Sequence, residues 1–451
     1  MKIHFIAIGG SAMHNLALAL HTKGFTVTGS DDEIFEPSKS RLASKGLLPS
    51  AQGWFPEKIT ADLDAVILGM HARKDNPELL RAQELGLNIY SFPEYVYKYS
   101  ENKQRVVIAG SHGKTTVTSM IMHVLRFHDQ EFDYLVGSLV QGFETMAQLT
   151  DAPIIIIEGD EYLTSPLDPR PKFWHYKHHI GVITGIAWDH INVFPTFSKY
   201  LEQFEIFADL TPRGGILIYS KDDKKADEIC SIDRNDVKTE SYSVPSHKIR
   251  QGRTILNTDY GPVELQIFGE HNLKNLEASK AVCLHLGISE KGFYEAISTF
   301  KGASNRLEQL AKSDKAVVFK DFAHAPSKLL ATTMAAKKNF PDFKLVACLE
   351  LHTFSSLNKD FLKEYKDKFK FADEPIVFFT PETVEHKKLP PINEEDIQNS
   401  FANKNLKVFT YKDALKKHLL NQNWQYKTLL LMSSGKFGGL DLQDLAQKVV
   451  A

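Results

Sequence analysis

The sequence predicts an α/β fold of three domains with mostly parallel sheets, and three observations lead there. Its 451 residues amount to about three domains at roughly 150 residues each. Two apolar runs, 3–8 and 106–109, each end in a glycine turn followed by apolar residues at helical spacing, the pattern of strand, loop and helix. Beyond residue 303, apolar segments at 316–319, 345–349, 376–379, 407–409 and 428–432 alternate with helical or polar stretches, which reads as a further doubly wound sheet.

Composition narrows the class. With 43% hydrophobic and 24% charged residues, the chain is an ordinary globular protein and neither disordered nor fibrous. Its 54 Lys and Arg against 56 Asp and Glu give a formal charge of -2, so bulk attraction to nucleic acid or an anionic membrane is not expected. Any anionic ligand needs a local site. Cys230, Cys283 and Cys348 have no metal spacing and are odd in number, which suits buried thiols in a reducing compartment. The N-terminus lacks the apolar core and cleavage site of a signal peptide, and no apolar run approaches the ~20 residues of a membrane span. A cytoplasmic protein without membrane insertion is expected.

The first unit, 1–101, opens with a strand to Ile8, the turn Gly9-Gly10-Ser11-Ala12 and a helix carrying Met13, Leu16, Ala17 and Leu20. A second strand runs into Gly29-Ser30-Asp31-Asp32. Glycines at a first strand-to-helix turn, with an acid about twenty residues on, suit a ligand phosphate at a helix N-terminus. The alanines Ala7 and Ala12 stand where a dinucleotide fingerprint has glycine, which argues against nicotinamide binding.

The second unit, 102–302, begins after the polar stretch 98–105. Its strand enters Gly110-Ser111-His112-Gly113-Lys114-Thr115-Thr116, and Val117, Met120, Ile121, Val124 and Leu125 then mark a helix. The loop is not a standard Walker A, because Ile108 stands where the first glycine belongs, but its Gly-Lys-Thr core is intact. Backbone N–H groups there can approach phosphate oxygens, Lys114 can neutralise them, and the Thr115 hydroxyl can help hold Mg²⁺. The run 154–157 of four isoleucines ends directly in Glu158-Gly159-Asp160-Glu161, placing acids where an α/β sheet presents its ligands. A solvated charge cluster is the alternative reading. The segment 182–186 similarly ends in Trp188-Asp189-His190, and Asn272 and Asn275 share one helix face, able to read a base edge or to cap the helix.

In the third unit, 303–451, Asn305-Arg306-Leu307-Glu308 precedes a strand that ends in Asp321-Phe322-Ala323-His324-Ala325-Pro326. The proline should start a helix.

Taken in order, Gly-Gly-x-x-Met, Gly-Ser-Asp, Gly-x-x-Gly-Lys-Thr-Thr, Glu-x-Asp-Glu, Asp-His, His-Asn-x-x-Asn, Asn-Arg-Leu-Glu and Asp-Phe-Ala-His span nearly the whole chain, and the series resembles the Mur ligase family. That resemblance implies an N-terminal Rossmann-like domain for a UDP-sugar, a central P-loop ATPase domain, and a C-terminal Rossmann-like domain that brings the amine and closes over ATP. It implies UDP-sugar contacts at Gly9, Gly10, Ser11, Ala12, Met13, Ser30 and Asp31, and ATP contacts at residues 110–116. Asn272 and Asn275 fall at the adenine site, and Arg306 and Asp321 at the phosphates and ribose. Thr115, Glu158 and His190 would hold Mg²⁺, with Lys114, Glu158, His190 and Arg306 as the catalytic set. Family members that carry a carbamylated lysine have it about fifteen residues after the metal histidine, where this chain has Glu205, which could supply that charge to the metal unmodified or, as an amphipathic helix favours, lie on a solvated face. The segment 160–176 and the ending Ser433-Ser434-Gly435-Lys436-Phe437-Gly438-Gly439 look most like the tripeptide-recycling branch, the murein peptide ligases. That branch joins UDP-N-acetylmuramate to L-alanyl-γ-D-glutamyl-meso-diaminopimelate, and His324, Ser433 and Gly435 would then meet the acceptor. Ala325, Ser434 and Lys436 depart from that branch's pattern. Addition of L-alanine is the rival within the family. A nucleotide-binding regulatory pseudoenzyme is the rival outside it, and a nicotinamide oxidoreductase would leave the Gly-Lys-Thr loop without purpose.

Overall fold

The computed structural model describes residues 1–451 except 192, 232–233, 251–252 and 304–305. Asn305, the first residue of the Asn-Arg-Leu-Glu motif, therefore lies outside the described residues. The fold is mixed α/β, with three mostly parallel sheets as expected and a small antiparallel one.

The N-terminal sheet contains β1 (Lys2–Ile6), β2 (Thr26–Ser30), β3 (Ala65–Leu68) and β4 (Ile89–Ser91), ordered β2-β1-β3-β4 and parallel throughout. The first strand ends two residues before the expected Ile8 because the main chain turns at Ala7, whose φ is +69°. Neighbouring strands diverge on either side of β1, which opens a crevice at its carboxyl end. Gly9 and Gly10 lie there, and Gly10 caps a helix, Ser11–Thr22, that has no acid in its first turn. The Gly9 N–H donates to Asp31 Oδ2 at 2.7 Å, so the Gly-Ser-Asp motif at the end of β2 ties down the glycine turn.

The central sheet contains β5 (Gln104–Ala109), β6 (Asp133–Leu135), β7 (Ala147–Gln148), β8 (Ile154–Glu158), β9 (Ile180–Ile183), β10 (Ile216–Ser220) and β11 (Lys238–Tyr242), ordered β11-β10-β9-β5-β8-β6-β7. All pairs are parallel except β6 with β7. Helices cover both faces, so β5 and β8 are buried on each side and read as continuous apolar runs. The sequence does not signal the small antiparallel sheet of β12 (His247–Arg250), β13 (Arg253–Thr258) and β14 (Gly261–Leu265), whose strands are short and largely polar.

The last sheet contains β15 (Glu308–Lys312), β16 (Ala316–Asp321), β17 (Lys344–Glu350), β18 (Glu374–Phe378), β19 (Lys407–Phe409) and β20 (Lys427–Met432), ordered β15-β16-β20-β17-β18-β19. The five expected strands are all present, and β15 adds an antiparallel edge. Pro326 opens the helix Pro326–Asn339 as anticipated. The three cysteines are buried free thiols, each pushed well above the usual thiol range by burial. Among the described residues no helix is long and apolar enough to cross a membrane.

Burial pushes the Asp31 carboxyl up to about 6, although the Gly9 N–H opposes the shift. The folded chain then holds a proton that the unfolded chain releases near pH 4, so this group's contribution to stability falls as pH rises from about 4 to 6 and stays lost above that. Asp31→Asn keeps an acceptor for Gly9 and removes the charge. Thermal melts should show a higher Tm at pH 7 and a flatter profile between pH 4 and 6, and an unaltered profile would contradict this.

Candidate active site

The loop after β5 sits where β9 and β8 diverge on either side of it, so three strand ends converge. Gly110 and Gly113 have φ of +128° and +89°. A Cβ would lie 2.1 Å from Thr184 Oγ1 at the first and 2.4 Å from Asn275 Oδ1 at the second, so both positions demand glycine. Gly113 caps the helix Lys114–Phe127, which has no side-chain cap and no acid in its first turn. A helix N-terminus left this way is suited to an anion.

Side chains from the three strand ends interlock beneath the loop. Lys114 Nζ donates to Gly110 O at 2.6 Å and to Glu161 Oε2 at 2.7 Å. Thr115 Oγ1 donates to Glu158 Oε1 at 2.8 Å. Glu161 is buried and also accepts from the Tyr200 hydroxyl at 3.0 Å, with His190 Nε2 3.5 Å from the same oxygen. Burial works against its charge, but Lys114 and His190 outweigh burial and hold the carboxyl well below its usual range. Burial likewise opposes the Lys114 charge and is overcome by Glu161, leaving its pKa raised. Ser111, also in the cavity lining, locks the loop: its hydroxyl meets Tyr200 OH at 2.8 Å and accepts the Ala187 N–H at 2.8 Å.

A cavity of about 420 Å³ lies over this floor. Central residues His112, Lys114, Thr115, Glu158, Glu161, Asp189 and His190 line it, together with Asn272 and Asn275 from the helix Glu270–His285 and Arg306, Asp321, His324 and Lys328 from beyond residue 303. The expected ATP, metal and catalytic residues thus share one enclosure, apart from Gly110 and Glu205. Burial pushes His112 down to about 4 and His324 to about 3, with Lys328 adding to both shifts. Asp321 accepts the Leu307 and Ala323 N–H groups, each at 2.7 Å, so its carboxylate braces the loops around Arg306. Asn272 Nδ2 donates to Phe268 O at 2.9 Å.

Three placements bear on the sequence expectations. Glu205 is exposed on the helix Phe197–Asp209, whose buried face carries Tyr200, Phe204 and Phe207. The carboxylate at the floor is Glu161, and the residue this helix contributes is Tyr200. Ser433 and Gly435 do not line the cavity with His324. They gather at the ends of β17 and β20, where Glu350 Oε2 accepts the Ser433 hydroxyl and the Phe437 N–H. Thr115–Glu158 and His190–Glu161 form two separate pairs rather than one tight cluster. Mg²⁺ keeps several waters and needs only one or two carboxylates, so hydroxyl and carboxylate donors at this spacing fit it.

Another group of potential ligands, Glu94, Asp168 and His175, has its atoms within 4.8 Å of one another. Its carboxylates are already engaged: Arg170 bonds Asp168 through two nitrogens, and Glu94 completes a capping box with Ser91. The crevice residues Gly9, Gly10, Ser11, Ala12, Met13, Ser30 and Asp31 lie at the carboxyl ends of β1 and β2 and in the first turn of the helix Ser11–Thr22, and do not line the central cavity.

Comparisons with known proteins agree with this architecture. Residues 2–104 match the model described as Mur ligase family, catalytic domain, and residues 108–283 match the Mur ligase middle domain. The UDP-N-acetylmuramate–L-alanine ligase of Clostridium kluyveri is 32% identical over 390 residues, covering 83% of this chain and 82% of that protein. The protein of the same name from Caldicellulosiruptor bescii is 31% identical, covering 83% of each. Among solved structures, the UDP-N-acetylmuramate-alanine ligase MurC of Thermotoga maritima superposes with a TM-score of 0.70 at 21% identity over 100% of this chain and 98% of that one. A murein peptide ligase from Psychrobacter arcticus gives 0.65 at 23% over 100% and 99%. The chain belongs to the Mur ligase family, a family of ATP-dependent amide ligases.

Gly113→Ala tests the loop geometry. A side chain at this φ costs about 1–3 kcal/mol before the contact with Asn275 is counted, so ATP affinity measured by titration calorimetry should fall roughly tenfold or more. Affinity within twofold of the unchanged protein would show that the loop does not seat the nucleotide.

Proposed function

We propose that this chain uses ATP to activate the carboxylate of UDP-N-acetylmuramate and joins it to an amine. The observation that carries this reading is the shared cavity, in which the glycine loop, the Lys114–Glu161 pair, the asparagines of Glu270–His285, and Arg306 face one space. A carboxylate oxygen attacks the γ-phosphorus, the bond to the β,γ-bridging oxygen breaks, and ADP leaves with that electron pair. The amine then attacks the acyl carbon of the resulting acyl phosphate, inorganic phosphate departs, and the nitrogen gives up a proton.

In this reading the residues position charge more than they exchange protons. Lys114 and Arg306 neutralise the phosphates, the N–H groups of residues 110–116 bind their oxygens, and Asn272 and Asn275 flank the base. Thr115 and Glu158, with His190 and Glu161 opposite, would hold Mg²⁺, which when bound adds positive charge beside the phosphate oxygens. Arg306 and His324 belong to the C-terminal unit, so the cavity is complete only when the units 102–302 and 303–451 meet, which also excludes water from an acyl phosphate. The crevice of unit 1–101 would take the UDP group. ATP and a UDP-sugar as substrates suit a cytoplasmic enzyme.

For the amine, L-alanine is the reading that the relatives support, since those at 31–32% identity are named for it. A second reading, the tripeptide L-alanyl-γ-D-glutamyl-meso-diaminopimelate, is favoured by the segment 160–176. There Lys172 pairs with Asp160 at 2.7 Å and Thr164 bonds back to Arg170 O at 2.7 Å, folding the sequence that resembles the murein peptide ligases into one structured loop. Phosphate release with ATP, Mg²⁺ and UDP-N-acetylmuramate should depend on added amine. Faster turnover with L-alanine, verified by product mass, supports the first reading, and turnover with the tripeptide alone replaces it with the second. Silence with both contradicts the ligase reading.

A further inference from the structure

Lys328 has no part in the site as derived so far, yet it lines the same cavity as Lys114 and Arg306. It lies in the first turn of Pro326–Asn339, a helix with no acid in that turn and no side-chain cap. The side chain is 23% exposed, and its ammonium reaches Asp189 Oδ2 at 3.9 Å, beyond hydrogen-bond length. Lys114, by contrast, has Glu161 at 2.7 Å, and the Arg306 guanidinium lies over the Phe322 ring at 4.5 Å.

The electrostatics agree with this geometry. Burial, and then Lys114 and Arg306, pull the Lys328 ammonium below its usual range against the opposing effect of Asp189 and Glu161. Lys328 in turn is among the causes that keep His112 and His324 neutral. Four lysine and arginine side chains line the cavity of about 420 Å³; Lys274 is held by Asp222 at 3.0 Å, while Lys114, Arg306 and Lys328 repel one another, and a polyanion entering between them relieves that repulsion. The two helix N-termini, before Lys114 and at Pro326, favour negative charge in the same space.

We propose that Lys328 is a catalytic residue that bonds the phosphoryl group in transfer, as the C-terminal unit's counterpart of Lys114. It stays protonated throughout. The bond from the attacking carboxylate oxygen to phosphorus forms while the bond to ADP breaks, and the Lys328 ammonium bonds an equatorial oxygen whose charge persists through the transfer. This assignment rests on the ATP-dependent ligase reading.

The test compares the unchanged protein with Lys328→Met and Lys328→Arg, measuring ADP release with UDP-N-acetylmuramate and the better amine, and ATP affinity separately. Removal of one preorganised charge donor costs about 10²–10³ in kcat. Lys328→Met should lose that much in kcat while KM for the amine moves less than about threefold, and Lys328→Arg should recover at least a tenth of the lost rate. A drop that appears only in KM for the amine would make Lys328 an acceptor residue and overturn the proposal, as would a Met variant within threefold of the unchanged kcat. A Met variant inactive because it has unfolded, shown by a lost thermal transition, leaves the decision to Lys328→Arg: a folded Arg variant with at least a tenth of the unchanged kcat supports the role, and a folded inactive one overturns it. If the unchanged protein releases no ADP with either amine, the ligase reading fails and this inference fails with it.

Discussion

The buried pair between Lys114 and Glu161 is the interaction on which the rest of the site depends. Taking both charges out of water is costly, and a pair of this kind is weak evidence for stability. Its value is positional. Glu161 draws the Lys114 ammonium down from the helix N-terminus, and Tyr200 and His190 meet the other carboxylate oxygen. Through Tyr200 the same network reaches Ser111 and, from there, the main chain at Ala187. One carboxylate thereby couples the ends of β5, β8 and β9 to the helix Phe197–Asp209.

Topology makes that coupling possible. In the order β11-β10-β9-β5-β8-β6-β7, β5 is the strand from which the chain winds outward in both directions, and its carboxyl end is the natural crevice. The N-terminal sheet repeats the arrangement at β1, where Asp31 is tied to Gly9. The C-terminal sheet contributes differently, since the segment after β16 supplies Asp321, His324 and Lys328 as the far wall of a cavity whose floor belongs to another sheet. Asp321 holds the main chain at Leu307 and Ala323, so it sets where Arg306 and His324 stand.

Much of this was legible from local pattern. Buried parallel strands are continuous apolar runs, and so 154–157 and 428–432 announced β8 and β20, while the glycine loop at 110–113 announced the strand-to-helix turn that floors the cavity. The antiparallel strands of 247–265 escaped because their sides alternate between polar and partly buried residues without a strong apolar face. Of the two readings of Glu205 the solvated face holds, because an offset of fifteen residues counts along the chain, whereas helix phase decides which side faces inward, and that side carries Tyr200. Glu161 was read as one of several acids, since nothing local distinguishes it from Asp160 until Lys114 lies against it. Ser433 and Gly435 were read as acceptor residues by family resemblance; they gather around Glu350, with the Ser433 N–H bonded to Asp321 O at 3.0 Å. Lys328 carries no signal in its neighbourhood and becomes visible only when the helix Pro326–Asn339 lies over the loop after β5.

The proposed nucleotide site spans two sheets, with the loop 110–116 as floor and the segment 321–328 as far wall. Hydrogen exchange of the whole protein with and without Mg²⁺ and ATP measures this directly. Slower exchange on nucleotide addition is expected at amides in both segments. Protection confined to 110–116, with 321–328 exchanging as before, would contradict it and return the C-terminal residues to a merely adjacent role.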